Sequence, residues 1–256
     1  MQDRVFGESG ARLVIEEYLE GPEVSVLSFT DGVTLVPMLA SMDHKRALDG
    51  DEGPNTGGMG AICPNPYYTP EVAAECMERI FLPTVRAMNA EGRTFRGCLY
   101  FGLMLTKDGP KVIEYNCRFG DPETQAVLPL LETDLLDIME ATAAGRLSEV
   151  NVKWSSDSSC CLILASGGYP KAYKKGLPIS GLDEKGQLPD GSAEVFHAGT
   201  KLEDGKYFTN GGRVLGVTAT APTLAEAVKR AYAAAENISF EGLHKRMDIG
   251  ARALKA

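Results

Sequence analysis

Residues 112–123, Val-Ile-Glu-Tyr-Asn-Cys-Arg-Phe-Gly-Asp-Pro-Glu, concentrate groups that handle phosphates and divalent cations. Val112, Ile113, Tyr115 and Cys117 suit a strand, and Asp108-Gly109 just upstream signals a hairpin turn. Side chains alternate across a strand, so Glu114, Asn116 and Arg118 share one face. Ile113, Tyr115 and Cys117 share the other and can be buried. A carboxylate and an amide oxygen two residues apart are hard ligands suited to Mg²⁺. An arginine beside them is a natural phosphate partner. The strand runs into Phe119-Gly120-Asp121-Pro122-Glu123, which adds two carboxylates. Such a cluster can handle a magnesium-bound nucleotide; the alternative is the solvated face of an ordinary sheet.

Three other segments carry candidate chemistry. A strand is expected over residues 13–18, turning at Gly21-Pro22. Backbone groups around Glu16, Glu17 and Leu19 can pair with an adenine edge, and Glu23 can reach a ribose hydroxyl. An edge strand with solvated acids is the competing reading. Gly53-Pro54-Asn55-Thr56-Gly57-Gly58-Met59-Gly60 can bring backbone N–H groups close to an anion. It has neither Walker A nor dinucleotide-fingerprint spacing, and a flexible turn explains it as well. Asp43-His44-Lys45-Arg46 adds positive charge nearby, which favours a phosphate-bearing substrate. His197 and His244 have no identifiable partners.

The elements that must position these residues alternate between hairpins and helices. Strands are expected over 23–30 and 34–39, then a long loop over 41–66, a helix over 71–90 kinked or divided at Pro83, and a hairpin pairing 97–106 with 111–117. Short helices follow over 124–131 and from Thr133, as N-cap, to Gly145. Residues 148–157 read as a crossing between domains. Strands near 159–165, 194–199, 207–209 and 213–220 precede a helix opened by the capping box Thr223-Leu224-Ala225-Glu226.

The chain has 256 residues and a net charge of −9, which argues against nucleic acid or an anionic membrane as the main partner. Its six cysteines lack zinc spacing and no secretory signal stands out, so reduced, mostly buried thiols in a cytoplasmic protein are expected.

In their fixed order, Val-Ile-Glu-Glu-Tyr-Leu-Glu-Gly-Pro-Glu-Val-Ser, Asp-His-Lys-Arg, Gly-Pro-Asn-Thr-Gly-Gly-Met-Gly-Ala and Glu-Tyr-Asn-Cys-Arg-Phe-Gly-Asp-Pro-Glu closely resemble the phosphoribosylamine–glycine ligase family of the ATP-grasp superfamily. Gly167-Gly168-Tyr169-Pro170, residues 195–200 and Asn210-Gly211-Gly212-Arg213 resemble that family's last domain, so the resemblance covers essentially the whole chain. It implies an α+β fold: a partial ATP-grasp domain of antiparallel sheets with flanking helices over 1–149, then a small C-terminal α+β domain over 150–256. It implies ATP-dependent joining of glycine to 5-phosphoribosylamine through glycyl phosphate, in purine synthesis. Glu114 and Asn116 would hold Mg²⁺ or Mn²⁺, with Arg118 beside the phosphates and the acyl phosphate. Glu16, Glu17 and Leu19 would face adenine, and Glu23 the ribose. Lys45, Arg46, Asn55, Asp121 and Glu123 are the substrate-side candidates. The stretch 100–105 lacks the second metal-binding acid of many ATP-grasp relatives. The family's N-terminal domain and the start of its small lobe precede the part resembled here, so a missing N-terminal half is an expected partner. Alternatives are another ATP-grasp carboxylate–amine ligase of purine metabolism, or a non-catalytic fragment.

Overall fold

The computed structural model describes residues 7–256. A single 3-10 turn over Gly7–Ala11 opens it. The strand expected over 13–18 does not form: Leu13, Val14, Ile15 and Tyr18 have no pairing strand and are 64–92% exposed. Without a neighbouring ladder an apolar segment cannot satisfy its backbone as a strand, whatever its propensity.

Strands β1 (Glu23–Thr30), β2 (Leu35–Pro37), β7 (Gly97–Thr106) and β8 (Gly109–Asn116) make one antiparallel sheet in the order β2-β1-β7-β8. Alternation along β1 sends Val24 and Val26 to one face and Leu27 and Phe29 to the other, and both faces are buried. Helix α1 (Pro70–Cys76), a π-helical turn over Met77–Phe81, and α2 (Leu82–Ala90) cover the first face. The break expected at Pro83 is thus taken up by the turn before it, since a proline in the first turn of α2 forfeits no intrahelical bond.

The long loop expected over 41–66 instead contains four short strands: β3 (Met42–Asp43), β4 (Arg46–Leu48), β5 (Glu52–Asn55) and β6 (Gly60–Cys63). Their partners explain why sequence alone missed them. β6 pairs with β9 (Ser158–Ala165), and the five-stranded sheet runs β10-β13-β9-β6-β3, with β10 at Glu194–His197 and β13 at Arg213–Ala221. This sheet draws strands from both sides of residue 149. Strands β4 and β5 pair only with each other, as do β11 (Thr200–Glu203), which was not expected, and β12 (Lys206–Thr209).

Helix α3 (Glu123–Val127) is one short turn followed by a 3-10 turn. Helix α4 (Leu135–Ala144) is capped by Asp134 rather than Thr133, whose hydroxyl is engaged with the backbone of Asn151 and Lys153. Helix α5 (Leu224–Ala235) begins at the expected Thr223 cap and lays Ala227, Ala231, Ala234 and Ala235 into the core. After it, residues 244–252 return to the β4–β5 ribbon. His244 Nε2 meets the Ala47 carbonyl at 2.7 Å, and the Met247 N–H donates to Asp49 at 2.7 Å. Among the described residues no helix is long and apolar enough to cross a membrane.

Candidate active site

Glu114 and Asn116 on β8 and Arg118, two residues past its end, do lie side by side. Asn116 Nδ2 donates to Glu114 Oε1 at 3.2 Å, and Arg118 Nη2 lies 3.4 Å from Asn116 Oδ1. Register sets this row: Asn116 lies opposite Tyr100 and Glu114 opposite Gly102. A Cβ at Gly102 would stand 3.0 Å from Glu114 Cγ, so the glycine makes room for the carboxylate. A bulge then breaks the alternation between Gly102 and Leu103, leaving Ile113 out of register. Val112 and Tyr115 consequently lie on the helix-covered face. Tyr115 is 47% exposed and Cys117 is exposed, so neither takes the burial that alternation allowed. β8 is the edge strand, and an open groove of about 540 Å³ separates it from α2.

Glu16, Glu17, Leu19 and Glu23 line one cavity of about 330 Å³ with Met104, Lys111 and Ile113. Lys111 Nζ pairs with Glu17 at 2.7 Å, a contact not anticipated from sequence. Glu23 also holds Lys45, Nζ to Oε2 being 2.7 Å. Burial opposes the Lys45 charge, but Glu23, Asp43 and Glu114 outweigh it and raise the ammonium's pKa. Lys45 therefore stays charged beside Glu23 at the cavity edge.

Glu123 is buried and accepts from the Tyr100 hydroxyl at 2.9 Å, which in turn lies 2.7 Å from Ser25 Oγ. Burial and the Glu123 carboxylate hold the Tyr100 hydroxyl in its protonated, donating form. Asp43, absent from the sequence-based candidates, stands near this relay with Oδ1 buried and without a hydrogen-bond partner among the described residues. Burial and Glu123 push Asp43 well above the usual carboxylate range, against the pull of Lys45.

Asp121 is tied down rather than free. Arg213 donates to the Asp121 and Gly57 carbonyls at 2.7 Å each and lies 3.3 Å from the Asp121 carboxylate. The arginine of the Asn-Gly-Gly-Arg motif thus joins the glycine-rich loop to the loop after β8. Its motif was visible in sequence; its partners were not. Arg46 and Asn55 face each other on the exposed β4–β5 ribbon, where Arg46 donates to the Gly53 carbonyl at 2.8 Å. Among the described residues no hydrogen bond or ion pair joins them to the Glu114 row.

Among the described residues no group of three or more His, Cys, Asp or Glu is placed to hold a metal. Glu114 and Asn116 alone fit the mode in which Mg²⁺ takes one or two protein oxygens and completes its shell with phosphate and water.

Residues 1–124 match the phosphoribosylglycinamide synthetase ATP-grasp (A) domain, and residues 159–252 match the C domain of the same synthetase. The chain is 50% identical over 251 residues to a phosphoribosylamine–glycine ligase of Caldanaerobacter subterraneus subsp. tengcongensis, covering 98% of this chain and 59% of that protein. It superimposes on the crystal structure of phosphoribosylamine–glycine ligase from Thermotoga maritima with a TM-score of 0.82 and 37% identity, over 91% of this chain and 57% of that one. The biotin carboxylase domain of Hydrogenobacter thermophilus 2-oxoglutarate carboxylase, solved with magnesium ADP and bicarbonate, shares the fold at a TM-score of 0.64 and 16% identity, over 94% of this chain and 51% of that one. The chain therefore spans about three-fifths of the ligases it matches, and over that span it belongs to the phosphoribosylglycinamide synthetase family, with the α+β architecture of ATP-grasp enzymes.

Proposed function

We propose that this chain supplies the phosphate-activating part of an ATP-dependent phosphoribosylamine–glycine ligase. The observation that carries the reading is the Glu114–Asn116–Arg118 row beside the cavity edged by Glu16, Glu17, Leu19 and Glu23. Adenine and ribose would occupy that cavity, with the phosphates extending toward Arg118. Mg²⁺ or Mn²⁺ on Glu114 and Asn116 would neutralise charge on the transferring phosphoryl group. Arg118 would hold the γ-phosphoryl as a glycine carboxylate oxygen attacks phosphorus and ADP leaves. The ribosylamine nitrogen then attacks the glycyl carbonyl carbon, phosphate leaves, and the nitrogen gives up a proton. The buried acids Asp43 and Glu123 offer partners to the glycine ammonium.

We further propose that residues 1–149 and 150–256 correspond to the ATP-grasp and C-terminal functional units, and that the protein works in the cytoplasm. The exposed side chains of Leu13, Val14, Ile15 and Tyr18 support a covering surface contributed by additional polypeptide, matching the extra length of the relatives.

Calorimetry of ATP binding tests the nucleotide site. Binding is expected with Mg²⁺ and to weaken at least about tenfold, roughly 1.4 kcal/mol, in Glu114→Gln with the fold retained. Equal affinity in both proteins would remove Glu114 from the metal site.

A further inference from the structure

The β4–β5 ribbon has almost no core of its own. All four residues of β5 are exposed, and in β4 only Ala47 is buried. A two-stranded ribbon of this kind is marginal in water unless something else holds it. Here the holder comes from about 200 residues away. The Arg246 side chain, only 1% exposed, donates through Nη1 to Asp51 Oδ1 at 2.9 Å and to the Arg46 carbonyl at 3.2 Å. Its Nε and Nη2 grip both oxygens of Asp248 at 2.7 and 2.8 Å. Asp248 Oδ2 in turn accepts from the Gly50 N–H at the ribbon's turn, 2.8 Å away. One guanidinium thus joins the first strand, the turn and the C-terminal segment.

A buried arginine fully paired in this way is a poor source of net stability but a precise spacer, because its planar fork admits one arrangement of partners. The ribbon it spaces carries Arg46 and Asn55 and begins next to Lys45. Resting on the ligase reading above, we infer that Arg246 is a positioning residue: it orders the ribbon so that Arg46 and Asn55 meet the phosphate-bearing sugar substrate. The C-terminal segment therefore governs sugar-phosphate affinity without touching the nucleotide.

Hydrogen exchange and calorimetry on the 256-residue chain test this, with ribose 5-phosphate as the sugar probe and magnesium ATP as the control. In Arg246→Met, amides of residues 46–55 should exchange at least about tenfold faster. Ribose 5-phosphate affinity should fall about tenfold while magnesium ATP affinity changes less than about twofold, with Arg246→Lys restoring part of the loss. Should Arg246→Met not fold, the more exposed partners decide through Asp51→Asn and Asp248→Asn, which should loosen the same amides. Unchanged exchange in the ribbon, or equal loss of both ligands, would overturn the inference. A wild-type chain that binds magnesium ATP but not ribose 5-phosphate would also overturn it. Absence of nucleotide binding would instead strike the ligase reading, while the exchange data would still decide whether Arg246 orders the ribbon.

Discussion

Glu114 and Tyr115 are chain neighbours with opposite roles, and period-two alternation explains both. Glu114, Asn116 and Arg118 were legible together because alternation is local and needs no partner strand. Asp43 and Arg213 were not, because their significance depends on Glu123, Gly57 and Asp121, which only folding brings near. Gly58 shows how tightly these loops meet. Its φ is +111°, and a Cβ there would stand 2.4 Å from Pro122 Cδ and 2.6 Å from Asp43 Oδ1. Gly58→Ala should therefore destabilise by roughly 3 kcal/mol, combining backbone strain with a clash. Gly92 makes the control: its φ is +68° with nothing within 4 Å, so Gly92→Ala should lose only about 1 kcal/mol. Urea midpoints compare the two, and equal losses would mean the Pro122 contact relaxes freely.

At the scale of elements, strands with their own hairpin partners were readable, as β1, β7 and β8 were. Strands β3 and β6 were not, because their ladders involve each other and β9 rather than a tight turn. The segment between them depends on His44, whose Nε2 accepts the Gly250 N–H at 3.2 Å. Burial and then the nearby Arg246 pull this imidazole from 6.5 to about 4; Arg252 adds to that pull, and Asp51 and the Gly60 contact oppose it. The unfolded chain takes up the proton first, so stability should be lost as pH falls from 6.5 to about 4. His44→Gln should flatten the dependence of the denaturation midpoint on pH across that window. An identical slope in the variant would assign the pH response to other groups.

For the whole molecule, the decisive feature is that the β6–β9 ladder and one continuous hydrophobic cluster join the two halves of the chain. Glu114 and Asn116 on β8, Arg118 just after it and the arginines at 213 and 246 are thereby held in one body. Denaturant unfolding should show a single transition by fluorescence and circular dichroism. Residues 1–149 expressed alone should lack a cooperative transition, since β6 would lose β9 and part of the core would face water. Cooperative unfolding of that fragment would show that the first half is stable without the shared sheet.

By itself the sequence determined the Glu114–Asn116–Arg118 row, the β1–β2 and β7–β8 hairpins, the α5 cap and, through motifs in a fixed order, the family. Those features rest on short-range rules: alternation, turn chemistry, capping and local spacing. Only the tertiary structure decided that residues 13–18 stay unpaired, that Tyr115 reaches solvent, that Asp43 Oδ1 is buried near Glu123, and that the C-terminal segment holds the β4–β5 ribbon. Each of these depends on a ladder, a burial environment or an ion pair between residues far apart in sequence, and local propensity carries no information about such partners.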